Sequence, residues 1–193
     1  MSTPTSQTVA QPLGARSAIR KPLVDLGTRL AHAAMVLGFV VSYASAESEY
    51  FRLVHVYSGY ALAALLAFRL LWGWLGPVSA RWSLLQRRLS LWPQWLRTVA
   101  QGGWAQRNVW VSGSSVTLAS VVVLIYAFTA LSIVSGWATY NELVGDGGLS
   151  EALEELHEVL GNAVMAVVCM HVGLVLVIRA WRGPQSLRPM WRG

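Results

Sequence analysis

Four residues in this chain have the chemistry to bind a metal through an imidazole: His32, His55, His157 and His171, its only histidines. All four fall within long apolar stretches, where an ionisable side chain is costly and generally marks a functional site. His157 and His171 stand fourteen residues apart in "LHEVLGNAVMAVVCMHVG". At 3.6 residues per turn this is just under four turns, so the two share one helix face, about 21 Å apart along the axis. The single cysteine, Cys169, makes no intramolecular disulfide and reads as a packing residue. No Cys-x-x-Cys-His occurs, which excludes covalent c-type haem attachment.

The elements that position these histidines follow from composition. The chain has 193 residues, 54% hydrophobic and 12% charged, with ten tryptophans. A soluble domain would carry about twice that charge, so the expected solvent is a bilayer. A spanning helix needs about 20 mostly apolar residues, and four stretches supply them: 24–46, 52–76, 115–138 and 153–181. Helices are expected because backbone groups in lipid must be satisfied within the segment or in a closed barrel. Alternating barrel strands are absent from the sequence. The fold class is thus all-α, an integral membrane four-helix bundle. Residues 1–22 read as a disordered arm, 23–182 as the bundle and 183–193 as a tail. The loop 77–113, with "SLWPQWLRTV", reads as an interfacial segment. Trp72, Trp74, Trp82 and Trp181 suit an aromatic belt on the same side.

Charge sets the orientation. Thirteen of the fifteen basic residues lie in the N-terminal arm, the 77–113 loop, the C-terminal end and the span turns next to them, Arg29 and Arg179 included. Eight of the nine acids lie in "SAESEY" and "TYNELVGDGGLSEALEELHE", the two other connections together with the first turns of the fourth span. The positive-inside rule then puts both termini in the cytoplasm, with four spans between them. The net charge of +6 reflects topology and contact with an anionic lipid bilayer, with no nucleic acid implied.

Depth sorts the histidines into pairs. His55 lies one turn into the second span, which starts outside, and matches His157. His32 lies two turns into the first span, which starts inside, and matches His171. A two-imidazole site suits haem iron better than zinc or copper, because the porphyrin supplies the other four nitrogens and no inner-half carboxylate or thiol lies at matching depth. Gly59 and Gly161 each follow a histidine by four residues, on its own face, leaving room for a flat ring. Haem propionates want cations. Arg69, fourteen residues after His55, lies at the depth of the inner pair; it could hold a propionate or snorkel to the interface. Arg52 stands in a similar relation to the outer pair.

The stretches "TRLAH", "LVHVYSGYALAALLAFRLLWGWLGP", "ARWSLL", "LHEVLGNAVMAVVCMHVG" and "LRPMWRG" resemble the bacterial cytochrome b561 family. That family includes the b-type cytochrome subunits of nickel-iron hydrogenases. The resemblance covers roughly residues 23 to 193. It implies two non-covalent b haems with bis-histidine ligation, carried here by His32 with His171 and by His55 with His157. Two departures stand out: Ala33 follows His32 where many relatives have tryptophan, and "GGWAQRNVWVSG" replaces a His-Asn-Pro-like stretch. Neither touches a ligand.

The function expected is transmembrane electron transfer, since six-coordinate haems leave no position open for oxygen. A periplasmic cytochrome c or a hydrogenase-type subunit is the expected partner outside, and quinone the partner inside. Three alternatives stand beside it: a superoxide:quinone oxidoreductase, a membrane anchor for a redox complex, and a histidine-based metal transporter.

Overall fold

The computed structural model describes residues 24–103, 106–143, 145 and 147–182. The expected N-terminal arm and C-terminal tail lie outside them. The described residues form six α-helices: α1 (Leu26–Ala44), α2 (Arg52–Leu75), α3 (Trp82–Leu89), α4 (Trp92–Ala100), α5 (Arg107–Tyr140) and α6 (Gly148–Arg182). No strand occurs among the described residues. Helices α1, α2, α5 and α6 contain stretches long and apolar enough to cross a membrane.

Packing divides the bundle into two hairpins. Helix α1 packs chiefly on α2 and α5 chiefly on α6, with α2 against α5 as the lesser seam. Buried residues of the four long helices are small or branched, among them Ala31, Leu62, Leu66, Ala119, Val164 and Val167. Such side chains let helices approach closely where lipid removes the hydrophobic drive to associate. Large apolar residues point outward instead, among them Leu37, Leu71, Val134 and Leu176. In water this surface would aggregate. In a bilayer it is the solvated face.

Helix α1 opens on an N-cap. The Asp25 carboxylate accepts from the Thr28 amide at 3.0 Å and the Thr28 hydroxyl at 2.8 Å, satisfying one of the donors a helix start leaves unpaired. It also accepts from the Trp72 indole near the end of α2, so one carboxylate ties the two ends of the first hairpin together. At the far end of the second hairpin, Gly147 at φ +132° turns the chain into α6, a conformation that favours glycine.

Helix α5 starts at Arg107, eight residues before the start expected from hydropathy at 115. Its 34 residues span about 51 Å at 1.5 Å per residue, well beyond the hydrocarbon thickness of about 30 Å. The extra turns form a wall for the short helices of the 77–113 loop. Trp95 of α4 donates to the Val109 carbonyl at 3.0 Å, and its indole fills the space a Cβ on Gly113 would need. Trp92 donates to the Ser120 hydroxyl at 2.7 Å. Trp82, which begins α3, sits in a notch at Gly73 and donates to the Leu70 carbonyl at 3.0 Å. These tryptophans do more than border the membrane. They pin the loop helices to the bundle.

Candidate functional site

The four histidines lie on three of the long helices: His32 on α1, His55 on α2, and His157 and His171 on α6. His55 and His157 face each other, their ring centroids 5.9 Å apart and their planes at 82°. His171 and His32 lie within electrostatic reach of one another toward the other end of the bundle. Each pair therefore takes one ring from each hairpin.

Hydrogen bonding settles the tautomer of the first pair. The Nδ1–H of His55 donates to the Ser42 carbonyl on α1 at 2.8 Å. That of His157 donates to the Ser132 carbonyl on α5 at 2.9 Å. A carbonyl oxygen can only accept, so both Nδ1 atoms carry the proton and both Nε2 lone pairs are left for a metal. Metal-binding histidines typically show this arrangement, in which the second nitrogen donates to a fixed acceptor. Ser135, 4% exposed, also donates to the Ser132 carbonyl and lies 3.2 Å from His157 Nδ1.

The pair borders a cavity of about 830 Å³. Gly59 and Gly161 line it, and a Cβ built on either meets nothing within 4 Å. Both glycines face open space, the room a flat macrocycle would occupy. Tyr43 of α1 donates to Asn162 Oδ1 of α6 at 3.1 Å across the same cavity. Glu47, Glu49, Glu142, Glu154 and Glu158 stand along the lining, with Arg52. This end of the bundle is acidic.

The second pair is less enclosed. His32 is exposed on α1, while the Nδ1 of His171 is buried and has no hydrogen-bond partner. Buried polar atoms are almost always paired, so an unpaired one calls for an explanation. Binding a metal through Nε2 would orient this ring but would still leave its Nδ1 without an acceptor. Among the described residues, no group of three or more His, Cys, Asp or Glu comes together. Each pair thus offers two imidazoles and no further metal ligand. Haem, which brings its own equatorial nitrogens, fits such a donor set.

A family model described as prokaryotic cytochrome b561 matches residues 23–193. The chain belongs to the prokaryotic cytochrome b561 family. It is accordingly a membrane cytochrome that binds b-type haem and transfers electrons. Comparisons with curated proteins and with solved structures gave no match.

Within this b561-family chain, Arg52 and Arg69 part company. Arg52 lines the acidic-end cavity. The Arg69 guanidinium donates to the Ala80 carbonyl at 3.3 Å and lies over the Trp82 ring at 5.3 Å. Both contacts are with the loop that follows α2. Two contributors have no counterpart in the sequence reading. Ser132 acts through its backbone, which no residue type announces. Gly136 gives His157 its place, since a Cβ there would stand 2.6 Å from His157 Cε1. Beneath α4, a smaller cavity of about 160 Å³ is lined by Leu91, Gln94, Trp95 and Thr98 with α5 residues. That is below the roughly 300–1,000 Å³ usual for ligand sites.

Proposed function

We propose that this cytochrome carries electrons across the membrane through two non-covalent b haems, with His55 and His157 as axial ligands of one and His32 and His171 of the other. The observation that carries this reading is the facing pair His55–His157, 5.9 Å between ring centroids, with each Nδ1 bound to a backbone carbonyl. When bound, each haem supplies a one-electron ferric/ferrous couple. The chain's own residues do the rest. The carbonyls of Ser42 and Ser132 hold the acidic-end rings in one tautomer and orientation, which makes them better electron donors to a metal. Gly59 and Gly161 leave the space between the hairpins open for the macrocycle, and Arg52 provides a cation for a propionate. Arg69, engaged with Ala80 and Trp82, serves the loop.

With the basic segments in the cytoplasm, the acidic-end site faces the periplasm and the basic-end site the cytoplasm. Electrons would pass between a periplasmic redox protein, such as a cytochrome c or a hydrogenase-type subunit, and quinone in the bilayer. Five carboxylates against one arginine around the acidic-end cavity disfavour superoxide as donor, because they repel an anion.

The test is haem content. Pyridine haemochrome assay of the purified chain should give two haems, all recovered by acid-acetone extraction. A value near one, or haem retained on the polypeptide, overturns the reading.

A further inference from the structure

The two histidine pairs are not equivalent, and the difference lies in α5. Ser132, Ser135 and Gly136 fall at positions i, i+3 and i+4 of that helix, hence on one face. Together they form a seat for His157. The Ser132 carbonyl accepts the Nδ1 proton at 2.9 Å, the Ser135 hydroxyl donates to the same carbonyl and lies 3.2 Å from Nδ1, and Gly136 leaves its surface bare where the imidazole lies. At the basic end, His171 Nδ1 is buried with no such partner.

We infer that Ser132, Ser135 and Gly136 are positioning residues for the acidic-end ligand, fixing the plane and donor strength of His157 and so holding the acidic-end haem below the basic-end haem in potential. The inference rests on the di-haem reading above. A histidine whose second nitrogen donates to a fixed acceptor is the more basic ligand, and hydrogen bonding around the ligands is one of the means by which a protein sets potential. The stronger donor favours ferric over ferrous iron. Charge acts in the same sense: Glu154 and Glu158 flank the acidic-end cavity, and negative charge near an iron also favours the ferric state. Asp25 is the only carboxylate on the basic side of the sequence, and it is already held by Thr28 and Trp72.

The decisive variant is Gly136→Ala. The added methyl must displace something, and the atom it meets is the far edge of a side chain, so the His157 ring yields before the α5 backbone does. Moving that ring stretches the bond to Ser132 and weakens the ligand. The full-length holoprotein would be studied by potentiometric titration and by low-temperature electron paramagnetic resonance, with His55→Ala identifying the acidic-end component. In the wild type, the component lost in His55→Ala should be the one of lower potential. In Gly136→Ala that component should shift upward in potential and change its low-spin g-value, while the other stays in place. Gly38→Ala, whose methyl meets only Leu62 across the α1–α2 contact, should move neither and so controls for packing. Should Gly136→Ala fail to accumulate, Ser135→Ala must alter the g-value of the same component. Unchanged spectra, a shift in the other component, or a higher-potential component lost in His55→Ala overturns the inference. A preparation holding fewer than two haems overturns the di-haem reading instead, and haemochrome assay reports that separately.

Discussion

The Trp72 indole donates to the Asp25 carboxylate at 2.9 Å, joining residues 47 positions apart at one end of the first hairpin. Partial burial alone would raise the Asp25 pKa, but hydrogen bonds from the Thr28 amide, the Thr28 hydroxyl and Trp72 outweigh it and hold the carboxyl below its ordinary 3.8. A carboxyl depressed on folding contributes stability that is complete above the unfolded value and is lost as pH falls through the folded one. Asp25→Ala should therefore destabilise the protein at pH 7, by about 0.5–2 kcal/mol for a lost N-cap. The gap from wild type should narrow only below about pH 4. Thermal midpoints of both proteins between pH 7 and pH 3 check this. A gap that persists undiminished at the acid end would remove the carboxylate from the explanation.

Ligands drawn from two ends of the bundle should fail independently. His55→Ala should abolish one redox component and His32→Ala the other, each leaving about one haem per chain by haemochrome assay. If both substitutions removed the same component, the pairing of His55 with His157 and His32 with His171 would be wrong.

The open glycines separate the needs of the polypeptide from those of its cofactor. Nothing lies within 4 Å of a Cβ at Gly59 or Gly161, and glycine within a helix costs about 1 kcal/mol relative to alanine. Gly161→Leu should thus leave the apoprotein at least as helical and as stable as wild type. Its side chain would nonetheless occupy the macrocycle's space, and haem content should fall toward one. Circular dichroism of apoprotein beside haemochrome assay of holoprotein makes the comparison. Full haem loading in Gly161→Leu would show that the cavity wall at α6 is not where the ring lies.

Arg69 has a different expectation. Its guanidinium is engaged by Ala80 and the Trp82 ring, so Arg69→Gln should leave both haem potentials unmoved. The loop should loosen instead, with Trp82 more open to a water-soluble quencher. A fall in the basic-end haem's potential would return Arg69 to a propionate.

Sequence reading recovered what residue type and periodicity can express. Four apolar stretches and a fourteen-residue histidine spacing already implied a bundle with imidazoles at two depths. The observed α1 and α2 begin and end within two residues of the hydropathy limits. Helix α5 exceeded them because Arg107 and a run of serine and glycine extend it beyond the apolar core, where hydropathy is silent but α3 and α4 supply packing. The seat of His157 was hidden for another reason. Its acceptor is a backbone carbonyl, and a bare glycine reads the same whether it admits a helix or an imidazole. Arg69 was ambiguous because a long side chain reaches either the bundle interior or the interface from the same Cα.

The division into two self-packed hairpins also bears on how the molecule is made. Each hairpin holds contacts between spans that are neighbours in sequence, so each can close soon after its second span enters the bilayer. Each pair of imidazoles bridges the hairpins, so haem held as proposed would be a joint between halves that already stand. A ligand that binds only the joined state favours it in proportion to the logarithm of its concentration. The cellular level of this cytochrome should then track haem supply. In haem-starved cells the two halves would be inserted but unclasped, and quality-control proteases would remove them.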